Sequence, residues 1–187
     1  MEAPAVVDPG FAFAWSARDF EKHLAPEKLL RLHPHWHVGA LTPVGDTWTV
    51  DLKNHETEVE FRLTFRLCFP EDDGTDERMR IEFETAPLDA MVFEVSRGNL
   101  VVRMENHRPP ADPDHFQLEL WLRGIFGYLG LYQKSTLWRR INRVIMNRFM
   151  IPMDPSQRKI SIMIYRFTVL EVVVILLIVI GYFFFMR

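Results

Sequence analysis

The chain of 187 residues has one cysteine, Cys68, so no disulfide closes within it and its lone thiol fits a reducing compartment. It contains no Gly-rich phosphate loop, no zinc-ligand spacing and no nucleophile elbow, which removes the commonest sequence routes to phosphoryl transfer, metal catalysis and acyl transfer. No basic segment followed by an apolar run opens it, so no secretory signal is expected. Lysine is scarce, five against seventeen arginines, and acidic residues are missing altogether between Ile125 and Met153. Charge of either sign nearly vanishes from Phe167 to Met186, where FTVLEVVVILLIVIGYFFFM carries Glu171 alone.

That last scarcity is the most informative. Twenty residues at the helical rise cover about 30 Å, the hydrocarbon thickness of a bilayer. With only Arg187 after them, they read as a single-pass tail anchor. From Ile125 to Arg166 the chain has eight cations, Lys134, Arg139, Arg140, Arg143, Arg148, Arg158, Lys159 and Arg166, against Asp154. The positive-inside rule then puts the N-terminal domain in the cytoplasm and the anchor in the cell's inner (cytoplasmic) membrane. Residues 1–124 are the opposite, with thirteen cations and twenty-three anions. An acidic body argues against nucleic acid. The arginines and lysines from 139 to 166, Lys134 aside, are expected to control topology and to touch anionic headgroups. The expected organisation is a soluble domain over 1–150, a basic juxtamembrane linker over 151–166 and a transmembrane anchor over 167–186.

Within the soluble part, Phe11, Phe13 and Trp15 alternate as a first strand. Ser16 caps a short helix with Phe20, His23 and Leu24, and Pro26 starts a second with Leu29, Leu30 and Leu32. Strands follow at 36–41, 48–52, 58–69, 79–83, 91–95 and 100–104. The clearest is 58–69, where Val59, Phe61, Leu63, Phe65, Leu67 and Phe69 alternate with mostly polar residues, as a half-buried antiparallel strand does. Phe116, Leu118, Leu120 and Leu122 continue that alternation as a last strand. From Gly124 to about Met150 a helix is expected, with Leu137, Trp138, Ile141, Val144, Ile145 and Phe149 as its apolar stripe and Arg139, Arg140 and Arg143 opposite. Pro152 and Pro155 break it.

Phe11-x-Phe-x-Trp15, the helix pair ending in Leu30-Arg-Leu-His-Pro34, the strand at 58–69 and the helix at 125–150 together resemble the START-like (SRPBCC, helix-grip or polyketide cyclase/dehydrase-like) superfamily. The resemblance lies in layout over residues 6–150. It implies an α+β helix-grip fold: a curved antiparallel sheet of about seven to eight strands wrapped around a long C-terminal amphipathic helix, here followed by one transmembrane helix. It also implies that an apolar ligand such as a lipid, sterol, quinone or polyketide is bound between sheet and helix.

The inward face would then present Phe13, Trp15, Trp48, Phe61, Phe65, Phe83, Phe93 and Leu118, with Trp36 and Phe116, under Leu137, Trp138 and Ile141. Such a lining suits either an apolar cavity or a solid aromatic core. It offers almost no titratable group, so catalysis is not expected and no catalytic residue is assigned. His33, His35 and His37 form H-x-H-x-H, but two ligands on one strand fall short of a zinc site, and a solvated strand edge is the expectation, with no metal. Glu171, about one turn inside the apolar run, either snorkels to the headgroups or meets another membrane helix. Two readings remain open. In the first, the chain is a non-catalytic module that binds a lipid, isoprenoid or quinone at the membrane face, with no other cofactor. In the second, it is an accessory subunit of a larger membrane complex, which predicts a filled core and an exposed apolar patch. A START-like cyclase or hydratase comes a distant third.

Overall fold

The computed structural model describes residues 5–7, 15–70, 76–106, 108, 114–133 and 136–185. The chain divides into two compact units, 1–152 and 153–187. The strand expected from Phe11 through Phe13 lies outside the described residues.

The first unit runs β1 (Ala5–Val7), α1 (Ala17–His23), α2 (Pro26–Arg31), β2 (Trp36–Val44), β3 (Thr47–Asn54), β4 (Glu60–Cys68), β5 (Glu77–Phe83), β6 (Ala90–Ser96), β7 (Asn99–Glu105), α3 (Leu118–Gly130) and α4 (Leu137–Ile145), the last continuing as a π-helical turn over Met146–Met150. The strands form one open antiparallel sheet of seven in the order β1-β7-β6-β5-β4-β3-β2. The class is α+β. Alternation in β4 sets Leu63 and Phe65 inward, and the register carries that phase across the sheet: Leu63 opposite Val50, Phe65 opposite Phe83, Met91 opposite Ile81. The other face carries ion pairs such as Arg62–Asp51 at 2.8 Å and Arg80–Glu105 at 2.6 Å. Arg62–Asp51 is fully solvated and sets solubility and register more than stability, while Arg80–Glu105 is partly buried.

α1 begins as its sequence indicates. Ser16 Oγ accepts from the Asp19 N–H, and the Asp19 carboxylate accepts from the Ser16 N–H at 3.0 Å, which closes a capping box. Those bonds hold the Asp19 carboxyl below its ordinary range, the backbone donor from Ser16 being the largest cause. Pro26 opens α2 at its first position, where its missing N–H costs nothing.

Two expectations are overturned. Residues 118–122 are not a strand but the first turns of α3. Leu118 and Leu122 also belong to a helical stripe, and Leu118, Trp121, Leu122, Ile125, Tyr128 and Leu129 are all buried at spacings of three and four. The helix expected over 124–150 is two helices. α3 ends at Gly130, and Thr136 caps α4 by accepting from the Arg139 N–H at 3.4 Å. The core joins Phe20, Leu29 and Leu30 from α1 and α2 to the inner sheet and to the buried side of α3.

The second unit is α5 (Pro155–Phe185), 31 residues long. The basic segment read as a linker is mostly its first turns, because proline at the first position starts a helix as readily as it stops one. Among the described residues α5 is the one helix long and apolar enough to cross a membrane, and its apolar window is unburied.

Candidate functional site

Among the described residues, aromatic rings pack closely between the central strands and α3. Trp36 is buried at its centre, with ring centroids 5.1 Å from both Phe116 and Trp121, and 5.8 Å from Phe61. Phe83 closes on Trp121 at 6.0 Å. The Trp121 indole N–H donates to the Leu29 carbonyl at 2.8 Å, which ties α3 to α2. Of the residues expected to line a cavity, Phe65, Phe83, Phe93 and Leu118 are buried core, and Trp15, Trp48 and Phe61 pack half-buried against it. Phe13 is outside the described residues. Leu137, Trp138 and Ile141 are not in the lining at all, being 76, 66 and 42% exposed. α3 already covers the sheet, so the apolar side of α4 has no sheet to cover.

An apolar hollow of about 400 Å³ does exist, at the start of α3. Val7, Pro87, Met104, Phe116, Leu118 and Leu122 wall it, with Asp114, Gln117 and Glu119 supplying polar groups. Its volume falls within the range of small-molecule sites. Of the residues expected on the inward face, Phe116 and Leu118 reach it among those described.

α1, α2, α3 and α4 meet at a polar cluster that the sequence reading missed. The Tyr128 hydroxyl lies 3.0 Å from that of Tyr132, donates to Asn147 Oδ1 at 3.0 Å and accepts from Lys28 Nζ at 3.4 Å. Asn147 Nδ2 donates to the Tyr132 hydroxyl at 3.2 Å. The Arg143 guanidinium sits 4.8 Å from the Tyr132 ring centre, and His23 packs between Trp15 and Tyr132 at 4.8 and 4.7 Å. Burial pushes the Tyr128 phenol far above its usual range, so the hydroxyl is a permanent donor and not an acid at neutral pH. The one local signal was Tyr128 and Tyr132 at i, i+4. Their partners Lys28 and Asn147 are distant in sequence.

Burial lowers the His23 imidazole below its ordinary 6.5, with Lys22, Lys28 and Arg143 acting the same way against Asp19. A group whose folded pKa is depressed stabilises fully above the unfolded value and loses that contribution as pH falls through it. The thermal midpoint of the full chain in mild detergent is therefore expected to fall between about pH 7.5 and about pH 5.5, and His23→Gln to flatten that fall. An unchanged pH profile in the variant removes His23 from the account.

The H-x-H-x-H run does not converge either. His33 is buried and stacked on Trp36 at 4.2 Å, so it is no solvated edge residue, while the His35 ring nitrogen lies 3.7 Å from Glu56. Among the described residues no three His, Cys, Asp or Glu side chains gather where they would hold a metal. The Cys68 thiol is half-buried and pushed up by that burial and by Glu82, which leaves it a poor nucleophile.

Of the cations assigned to a membrane surface, Arg140 and Arg148 on α4 and its π turn, and Lys159 and Arg166 on α5, are exposed. Arg139, Arg143 and Arg158 are partly buried, and Arg158 Nε donates to the Met153 carbonyl at 2.9 Å. Glu171 is exposed on α5.

No protein-family model and no curated protein matches the chain. Among solved structures the chain is similar to the solution structure of Chr148 from Cytophaga hutchinsonii, a Northeast Structural Genomics Consortium target, at 15% identity and a TM-score of 0.44, covering 69% of this chain and 90% of that one. A likeness that distant carries no argument about fold or function.

Proposed function

We propose that this chain is a non-catalytic accessory subunit of a membrane protein complex, built on a START-like domain and held at the cytoplasmic face of the membrane by α5. The order of strand, helix pair, six strands and helix supports the START-like reading, with α3 as the gripped helix. The length and apolarity of α5 support the anchor, and the cations on its domain side support the cytoplasmic orientation.

The observation that carries the choice of subunit over carrier is the close aromatic packing of the interior. Trp36, Phe116 and Trp121 pack against one another between the central strands and α3, where a START-like ligand is expected. Glu171 supports a membrane partner, because a carboxylate inside an apolar helix is stabilised by a polar group on a neighbouring helix. The hollow between the β1–β7 edge of the sheet and the start of α3 favours a second reading, a lipophilic small molecule held there.

Gentle purification of the full-length chain from its own membrane, followed by native mass spectrometry, separates the two. A stoichiometric partner subunit is expected, lost in Glu171→Leu while the chain stays in the membrane. Release of an apolar small molecule with no partner overturns the subunit reading in favour of the second.

A further inference from the structure

α4 and its π turn are mounted inside out. Arg139, Asn142, Arg143, Met146, Asn147 and Met150 are the partly buried positions. Their spacing of three and four makes them one side of the helix, the side against the domain. Leu137, Trp138, Ile141, Val144, Ile145 and Phe149 form the other side, 38–76% exposed, with Arg140 and Arg148 among them. A surface helix of a water-soluble domain does the reverse. The inward side is held by specific contacts: Asn147 to Tyr128 and Tyr132, and Arg143 over the Tyr132 ring. Arg139 Nη1 and Arg143 Nε are shielded from solvent. The outward turn of the apolar side is thus built into the fold.

Charge and reach identify what covers that side. From Ile125 to Met153 the segment has cations and no anion, which complements an acidic lipid surface and repels a basic one. The 31 residues of α5 extend about 46 Å, close to a bilayer with its headgroups, so when α5 crosses, Pro155 falls near the surface. The five steps from Met150 to Pro155 reach at most about 18 Å, which tethers α4 to that surface. Trp, Phe and Leu with arginines beside them on the outward side of a short helix suit the headgroup layer, where arginine stems lie along apolar surface and their heads reach phosphates.

We infer that α4 and its π turn lie flat in the interface of an anionic bilayer, with Trp138, Ile141, Ile145 and Phe149 at the acyl boundary and Arg140 and Arg148 at the lipid phosphates. The domain then stands on the membrane by a second support besides α5. This rests on the reading of α5 as a membrane-crossing helix, and the test separates the two.

The full-length chain carrying Cys68→Ser is reconstituted into phosphatidylcholine vesicles containing phosphatidylglycerol. One nitroxide is attached per variant, at Trp138→Cys, Ile145→Cys, Asp46→Cys in the β2–β3 turn, or Leu176→Cys in α5. Collision rates with oxygen, which concentrates in lipid, and with a water-soluble nickel chelate are then compared. Positions 138 and 145, 66 and 38% exposed, both lie outside the packed core, so neither substitution disturbs it. The oxygen-to-nickel ratio at 138 and 145 is expected to exceed that at 46 by about tenfold and to approach that at 176. Ratios at 138 and 145 equal to that at 46, with 176 in lipid, overturn the inference and leave the anchor standing. Low rates with both reagents at 138 and 145 overturn it in favour of a protein cover, either a partner or a second copy. A water-exposed 176 overturns the anchor and the inference with it.

Discussion

Trp121→Ala is expected to lower the stability of the first unit by about 3–5 kcal/mol, enough to unfold a domain of ordinary stability. Trp121 is fully buried, and three aromatic rings, Trp36, Phe83 and Phe116, lie within 6.0 Å of its centre. Truncation leaves a cavity that these stiff rings cannot close by small shifts. It also removes the indole N–H from the Leu29 carbonyl, one of the bonds that seats α3 on α2. Trp121→Phe keeps part of the volume and loses the bond, so its effect falls between the two. Circular dichroism of the full chain in mild detergent reads the result. The sheet signal melts early, while α5, which draws nothing from Trp121, keeps its helical signal. A midpoint for Trp121→Ala within a few degrees of the parent would show that the interior is not packed as described.

The second large effect concerns two glycines three residues apart. A Cβ on Gly124 would stand 2.2 Å from the Leu32 carbonyl oxygen, a backbone atom at the end of α2. α3 and α2 must separate to admit it, and overpacking of this kind costs about 1–3 kcal/mol or more, against about 1 kcal/mol gained in helix propensity. With a backbone clash as close as 2.2 Å placing the cost at the upper end, Gly124→Ala is expected to destabilise by about 1–2 kcal/mol net. A Cβ on Gly127 meets nothing within 4 Å. Gly127→Ala in the same helix is expected to stabilise by up to about 1 kcal/mol. Denaturant midpoints of the two variants should move in opposite directions. Movement in the same direction would mean that α3 does not cross α2 at Gly124.

The polar cluster explains why α4 sits where it does. Tyr128 brings a hydroxyl to the edge of an otherwise apolar helix side, and a buried hydroxyl without partners costs free energy. Lys28, Tyr132 and Asn147 supply them. Meeting that need turns the polar side of α4 toward the domain. An apolar side in the same place would leave Tyr128 with fewer partners, and the exposure of Trp138 follows from satisfying it.

Much of the molecule was legible from local pattern. Six alternating apolar residues made β4 unmistakable, because period two has no helical counterpart of that length. Ser16 and Asp19 marked the start of α1, Pro26 that of α2, and the apolar run around Glu171 the membrane-length helix. Where the reading failed, two structures shared one pattern. Leucines at 118, 120 and 122 fit a strand, and Leu118 and Leu122 fit a helix once Trp121 and Ile125 are counted.

The sequence by itself determined the inner phase of the sheet, the starts of α1 and α2, the amphipathic period of residues 137–149 and the apolar length of α5, because each depends on neighbours within a few turns. Only the tertiary structure decided that α3 and not α4 covers the sheet, that aromatic rings pack under its central strands, and that Tyr128 joins Lys28 to Asn147. It alone decided which side of α4 faces out. Amphipathicity has a direction in the helix but no sign in space, and the sign is set by whichever surface the rest of the fold leaves beside it.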